Sequence, residues 1–182
     1  MGLLEDLGIG FASLLGLKEK SIKENGGKII TQYATLEDVI EHLKGFVPKA
    51  DPKLKNSYTE KTIETQLIKY MKKRFVEVTP QYTLGGRIPT VIDMDVANGV
   101  AGIELKDAKS VVKSNEFNRM KGQIQYYKET RYKDDNIFLL VVGEQEDREN
   151  SRIIEVKDFC IKNDIRYGFY ELGKGYIEEN KD

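Results

Sequence analysis

The chain has 182 residues, 40% of them hydrophobic and 32% charged, with a formal net charge of −1. That length fits one domain with a small appendage, and the apolar share supports a packed core, which excludes wholesale disorder. No apolar run approaches the ~18 residues of a membrane span. The lone cysteine, Cys160, excludes an internal disulfide or a multi-cysteine cluster.

Cysteine usage points to a reducing, cytoplasmic setting. Glu5 and Asp6 stand where a secretory signal would carry its positive patch. The single histidine, His42, argues against His-rich metal centres and Ser-His-Asp chemistry. Charge is unevenly spread: −2 over residues 1–52, +6 over 53–134 (16 basic and 10 acidic side chains) and −5 over 135–182. A basic middle between acidic ends suits a polyanion-facing surface, and equally a set of solvated helix faces.

Residues 1–17 place Leu3, Leu7, Phe11 and Leu14 on one helical side, with four glycines weakening an isolated helix. Three readings are open for this segment: packing on the domain, self-association or binding of a partner protein, and contact with a membrane surface. Residues 18–28 are polar, end in Gly26-Gly27 and read as a loop or frayed helix end; 29–34 read as a short strand. Thr35 and Asp38 form a capping-box pattern that opens a helix through Leu43. Residues 45–56, with Pro48 and Pro52, read as a linker. Residues 1–50 are therefore expected to form an N-terminal appendage and 51–182 the core.

Ser57 and Glu60 form a second capping box, predicting a helix to about residue 75 that carries Ile63, Leu67 and Tyr70 on one face with Glu64 and Met71 beside it. Residues 76–84 read as a strand that Pro80 confines to an edge or a bulge. After Gly85-Gly86, residues 90–97 and 100–106 read as two strands about Asn98-Gly99, a strong hairpin signal. Residues 115–131 predict a helix capped by Ser114, with Phe117, Met120, Ile124 and Tyr127 inward. The apolar run at 136–143 reads as a strand covered on both faces. A helix at 151–163 and a strand at 165–172 complete the order α-β-β-β-α-β-α-β, an α/β (α+β) fold with a mixed central sheet flanked by helices.

A two-residue turn at Asn98-Gly99 sets Met94 opposite Ile103, Asp95 opposite Gly102 and Asp93 opposite Glu104. Opposed side chains share a face with Cβ atoms ~5 Å apart. Alternation adds Asp95 and Lys106 to the acidic face and sends Ile92, Met94, Val96, Ile103 and Leu105 to the other. Opposed like charges are destabilising unless offset. A divalent cation offsets them, and carboxylates with waters are what Mg²⁺ prefers. Lys106 can orient or deprotonate a water, or stabilise phosphate charge. The plainer reading is an exposed charged sheet face on which Lys106 balances the acids. Between the two aspartates, register favours Asp93 as ligand and leaves Asp95 as an outer helper.

Asp93, ten intervening residues, then Glu104-Leu105-Lys106, all after a helix bearing Glu64, resembles the PD-(D/E)xK nuclease superfamily. Gln123 and Tyr127, four apart on one helix face, are similar to the Q-x-x-x-Y motif of one branch of that superfamily. The resemblance spans residues 57–143. It departs from the pattern in having no proline directly before Asp93; Pro89 lies four earlier. It implies a restriction-endonuclease-like αβββαβ core and Mg²⁺- or Mn²⁺-dependent hydrolysis of DNA phosphodiesters. Asp93, Glu104, the main-chain carbonyl of Leu105 and Glu64 would hold the metal. Lys106 would orient or activate water, with Gln123 and Tyr127 completing the catalytic set.

Lys109, Lys113, Arg119 and Lys121 follow the site and are expected to contact the nucleic-acid backbone. Lys69, Lys72, Lys73 and Arg74 have two readings, contact with phosphates and, the plainer one, complement to the end of a helix dipole. The alternative function is an inactive module of the same fold that binds nucleic acid or assembles with protein. The chain lacks the glycine-rich phosphate loops and the nucleophile-elbow motif of other enzyme classes.

Overall fold

The computed structural model describes residues 18–23, 29–54, 57–86, 90–133 and 136–177. In chain order these form β1 (Lys18–Lys23), β2 (Ile29–Ala34), α1 (Leu36–Lys44), a 3₁₀ turn (Pro52–Leu54), α2 (Glu60–Met71), β3 (Val78–Leu84), β4 (Thr90–Val96) and β5 (Ala101–Asp107). There follow α3 (Ala108–Val111), α4 (Ser114–Thr130), β6 (Ile137–Gly143), α5 (Gln145–Arg148), α6 (Ser151–Lys162), β7 (Arg166–Glu171) and β8 (Gly175–Tyr176). The expected apolar segment 1–17 and the loop at 24–28 lie outside the described residues.

The central sheet has six strands in the order β3-β4-β5-β6-β7-β8. Strands β5, β6 and β7 are parallel, and the outer pairings are antiparallel. The fold is thus mixed α/β, as the element order predicts. Every residue of β6 is buried, because its alternating side chains enter two separate apolar clusters. Phe138, Leu140 and Val142 pack with α1 and α2 through Val39, Leu43, Ile63, Leu67 and Met71. Ile137, Leu139 and Val141 pack with α4 and α6 through Met120, Ile124, Ile153 and Val156. Fully burying each such side chain contributes about 1.5–3 kcal/mol, which fixes helices on both sheet faces. Ala34, Val39, Leu43 and Phe46, all before residue 50, are buried in the same cluster as Met94 and Ile103.

Several boundaries differ from the sequence reading. Lys18–Lys23 is a strand rather than a loop, because it pairs antiparallel with β2. Helix α2 is capped by Thr59, not Ser57: the Thr59 hydroxyl accepts from the Thr62 amide and the Thr62 hydroxyl accepts from the Thr59 amide. Ser57 instead makes a bridge with Asp51. The box at Thr35 and Asp38 forms as expected, and Pro80 lies on edge strand β3. Among the described residues no helix is long and apolar enough to cross a membrane.

The hairpin keeps the expected register, with Met94 opposite Ile103 and Asp95 opposite Gly102. Its turn takes up residues 97–100 rather than two residues. Ala97, Asn98 and Gly99 all have positive φ, at 52°, 53° and 90°. One residue leaves each strand, so the pairing is unchanged.

Face alternation does not hold along β4. Met94 and Val96 lie in the cluster under α1 and α2, but Ile92 lies in the cluster under α4 and α6. The switch falls at Asp93, opposite Gln81, where the β3–β4 pairing skips a rung and Gln81 has φ 48°. A left-handed residue breaks the two-residue period of its strand, and the neighbouring strand follows it.

Candidate active site

The β4–β5 ladder ends at Met94–Ile103, one rung short of Asp93 and Glu104. In place of that rung, Asp93 Oδ2 accepts the main-chain N–H of Leu105 at 2.8 Å. Asp93 is half-buried and Glu104 is 2% exposed. Glu104 Oε1 lies 2.6 Å from Lys106 Nζ. Glu104 Oε2 lies 3.1 Å from the Tyr127 hydroxyl, which is also 2.6 Å from the Val91 carbonyl. That hydroxyl has one proton, so it donates to one of the two acceptors at a time.

Helix α2 supplies two acids to the same region, one turn apart. Glu64 is 5% exposed; its Oε2 meets Lys61 Nζ at 2.9 Å, and its Oε1 accepts from Gln81 Nε2 at 2.7 Å. The same Gln81 nitrogen donates to Asp93 Oδ1 at 3.2 Å. Glu60 accepts the Asp107 N–H at 3.1 Å and lies 3.9 Å from Lys106 Nζ. Thus Asp93, Glu104, Lys106 and Glu64 are brought together, with Leu105 joined to them through its backbone.

Burial dominates the electrostatics of the site, with Lys106 the main opposing influence on its acids. Burial pushes the Glu104 carboxyl up to about 7, against the pull of Lys106 and with a further push from Asp93. Burial also raises Asp93 and Glu60, with Lys106 opposing both. For Lys106, burial disfavours the ammonium, but Glu104, Glu60 and Asp93 together outweigh it and hold the amine above its ordinary range. At neutral pH Lys106 is therefore a hydrogen-bond donor and a cation, not a base.

The other expected residues fall into distinct groups. Gln123 shares the α4 face with Tyr127, and its buried Oε1 has no hydrogen-bond partner. Lys109 and Lys113 are exposed and make no ion pair among the described residues. Arg119 is engaged by Glu116 at 2.5 Å, and Lys121 sits 4.4 Å over the Phe117 ring. Asp95 is not a helper to the site. It is held by Arg131 at 3.1 Å and by the buried Tyr132 hydroxyl at 2.5 Å, a pairing that anchors the hairpin to the end of α4.

Two participants escaped the sequence reading. Glu60 was legible as the residue one turn before Glu64. Gln81 carried no local signal, because only the β3–β4 pairing brings it opposite Asp93.

Among the described residues, no three His, Cys, Asp or Glu side chains converge as a ready-made metal cage. The donor chemistry nonetheless fits Mg²⁺ or Mn²⁺, which bind through one or two carboxylates and keep several waters. The carboxylates here exceed the cations around them, and an orphaned amide oxygen lies on the adjoining helix face. No family model, curated protein or solved structure matches the chain. What the fold and the site define is a mixed α/β protein with a buried Glu-Lys pair on central strand β5 and further acids around it.

Proposed function

We propose that this chain is a Mg²⁺- or Mn²⁺-dependent deoxyribonuclease built on a restriction-endonuclease-like core. The observation that carries the reading is the buried pair of Glu104 and Lys106, 2.6 Å apart, beside an Asp93 clamped to the intervening Leu105 N–H. A buried Glu-Lys pair beside a half-buried aspartate is a weak source of stability, so its retention points to a use.

In this reading Asp93, Glu104, Glu64 and the Leu105 carbonyl hold the cation. When bound, it supplies positive charge to the scissile phosphate and acidifies a water. Lys106, as an ammonium, donates to the attacking water or to a phosphate oxygen, while Tyr127 fixes the orientation of Glu104. Gln123 offers a free acceptor beside them. Lys109 and Lys113 meet backbone phosphates on the outer surface. The absence of three converging acids among the described residues favours a second reading, a non-cleaving module of the same fold that binds nucleic acid or assembles with protein.

The test is a cleavage assay on single-stranded, duplex and branched DNA with Mg²⁺ or Mn²⁺, comparing wild type, Glu104→Gln and Lys106→Ala. Cleavage by wild type alone, with unchanged circular dichroism in the variants, supports the nuclease. Binding without cleavage selects the module. Equal cleavage by all three overturns the site.

A further inference from the structure

We infer that Gln81 is a positioning residue: its side-chain amide holds the place of a divalent cation between Glu64 and Asp93 and yields that place when the cation binds. The inference rests on the metal-dependent reading above and concerns how its site is kept assembled.

The two carboxylates come from different elements, and each has one oxygen anchored without Gln81. Glu64 Oε2 is held by Lys61, and Asp93 Oδ2 by the Leu105 N–H. The two remaining oxygens, Glu64 Oε1 and Asp93 Oδ1, both turn to one atom, Gln81 Nε2, at 2.7 and 3.2 Å. An amide nitrogen has two N–H groups, one for each acid. A point where two carboxylate oxygens converge is where a hard cation binds best. Glutamine offers that point two hydrogen bonds but no charge, so it can hold the acids together and still be displaced.

The backbone supports the same role. Gln81 has φ 48°, a left-handed conformation that a non-glycine residue keeps only where its surroundings impose it. Here those surroundings include the two acids it bridges. Gln81 is also exposed, so its amide can move into water without emptying the core.

Two substitutions separate the amide from the backbone. Gln81→Ala deletes the amide and leaves the left-handed strain; Gln81→Gly deletes the amide and relieves it. The experiment is a Mn²⁺ titration of the full chain, read by the paramagnetic resonance of free Mn²⁺, with metal-free melting measured alongside. Both variants are expected to bind Mn²⁺ tighter than wild type by roughly threefold to tenfold, because the metal no longer has to displace the two hydrogen bonds of the amide, of which the weaker is long. Metal-free melting of Gln81→Ala should fall, since two acids then face each other without a donor. Should Gln81→Ala not fold, Gln81→Asn suits the left-handed backbone, is too short to span both acids, and should show the same tighter binding. Unchanged or weaker Mn²⁺ binding in the variants, with wild type binding normally, overturns the placeholder role and leaves the metal site standing. No Mn²⁺ binding by any form overturns the metal-dependent reading and this inference with it.

Discussion

Replacing Glu104 with glutamine removes a charge from a side chain that is 2% exposed while keeping its shape and an oxygen that accepts from Tyr127. Burial lifts this carboxyl from an ordinary 4.5 to about 7. The folded chain thus holds the proton more tightly than the unfolded chain does. Its contribution to stability is full below about pH 4.5 and is lost as pH rises through about 7. At about 1.36 kcal/mol per pH unit, the shift from 4.5 to about 7 corresponds to roughly 3 kcal/mol lost above neutrality in cation-free buffer. Glutamine carries no such penalty. Glu104→Gln should therefore match wild type near pH 4.5 and exceed its stability by up to about 3 kcal/mol at pH 8, while losing cleavage. Urea unfolding followed by circular dichroism, with chelator present, measures the gap across this range. Added Mg²⁺ should narrow it at pH 8 by stabilising wild type more. A variant less stable than wild type at pH 8, or a gap independent of pH, would refute the electrostatic account of the site.

Three further outcomes are expected. Tyr127→Phe removes the one buried hydroxyl proton that the Val91 carbonyl and Glu104 Oε2 share, so it should cost about 1–3 kcal/mol in chemical denaturation. It should also shift the acid limb of the cleavage profile to higher pH, because the hydroxyl helps hold Glu104 down; an unmoved profile would count against a role in tuning Glu104. Asp95→Ala removes the carboxylate from Arg131 and leaves the buried Tyr132 hydroxyl without its acceptor, so it should cost about 1–3 kcal/mol while leaving Mn²⁺ affinity intact. Loss of metal binding there would return Asp95 to the site. The double variant Lys109→Ala/Lys113→Ala should lower the salt dependence of DNA binding by roughly 0.9 in log–log slope for each lysine that meets a phosphate. An unchanged slope places the interface elsewhere.

Much of the architecture was legible along the chain because it rests on neighbouring residues. The continuous apolar run ending at Gly143 has only one stable use at that length, a strand covered on both sides, and β6 is buried throughout. The Asn98-Gly99 hairpin set the pairing of Met94 with Ile103 even though the turn itself is longer than two residues. The spacing of Gln123 and Tyr127 put them on one helix face whatever that face meets. Capping was less secure, because Ser57 and Thr59 both had a partner three residues on, and the bridge to Asp51 decided between them.

The sequence alone determined which helices are amphipathic and that Asp93 and Glu104 arrive near each other across a tight bend. Only the tertiary structure decided what each charge is for. Asp93 and Asp95 lie two residues apart, yet one is clasped by a main-chain amide and Gln81, and the other by Arg131 and Tyr132. Periodicity fixes a side chain's direction relative to its own strand, and even that failed where Gln81 turns left-handed. The partner waiting in that direction comes from elements 12 to 37 residues away. Only packing the helices on both sheet faces brings those elements within the ~3 Å at which a hydrogen bond distinguishes one carboxylate from another.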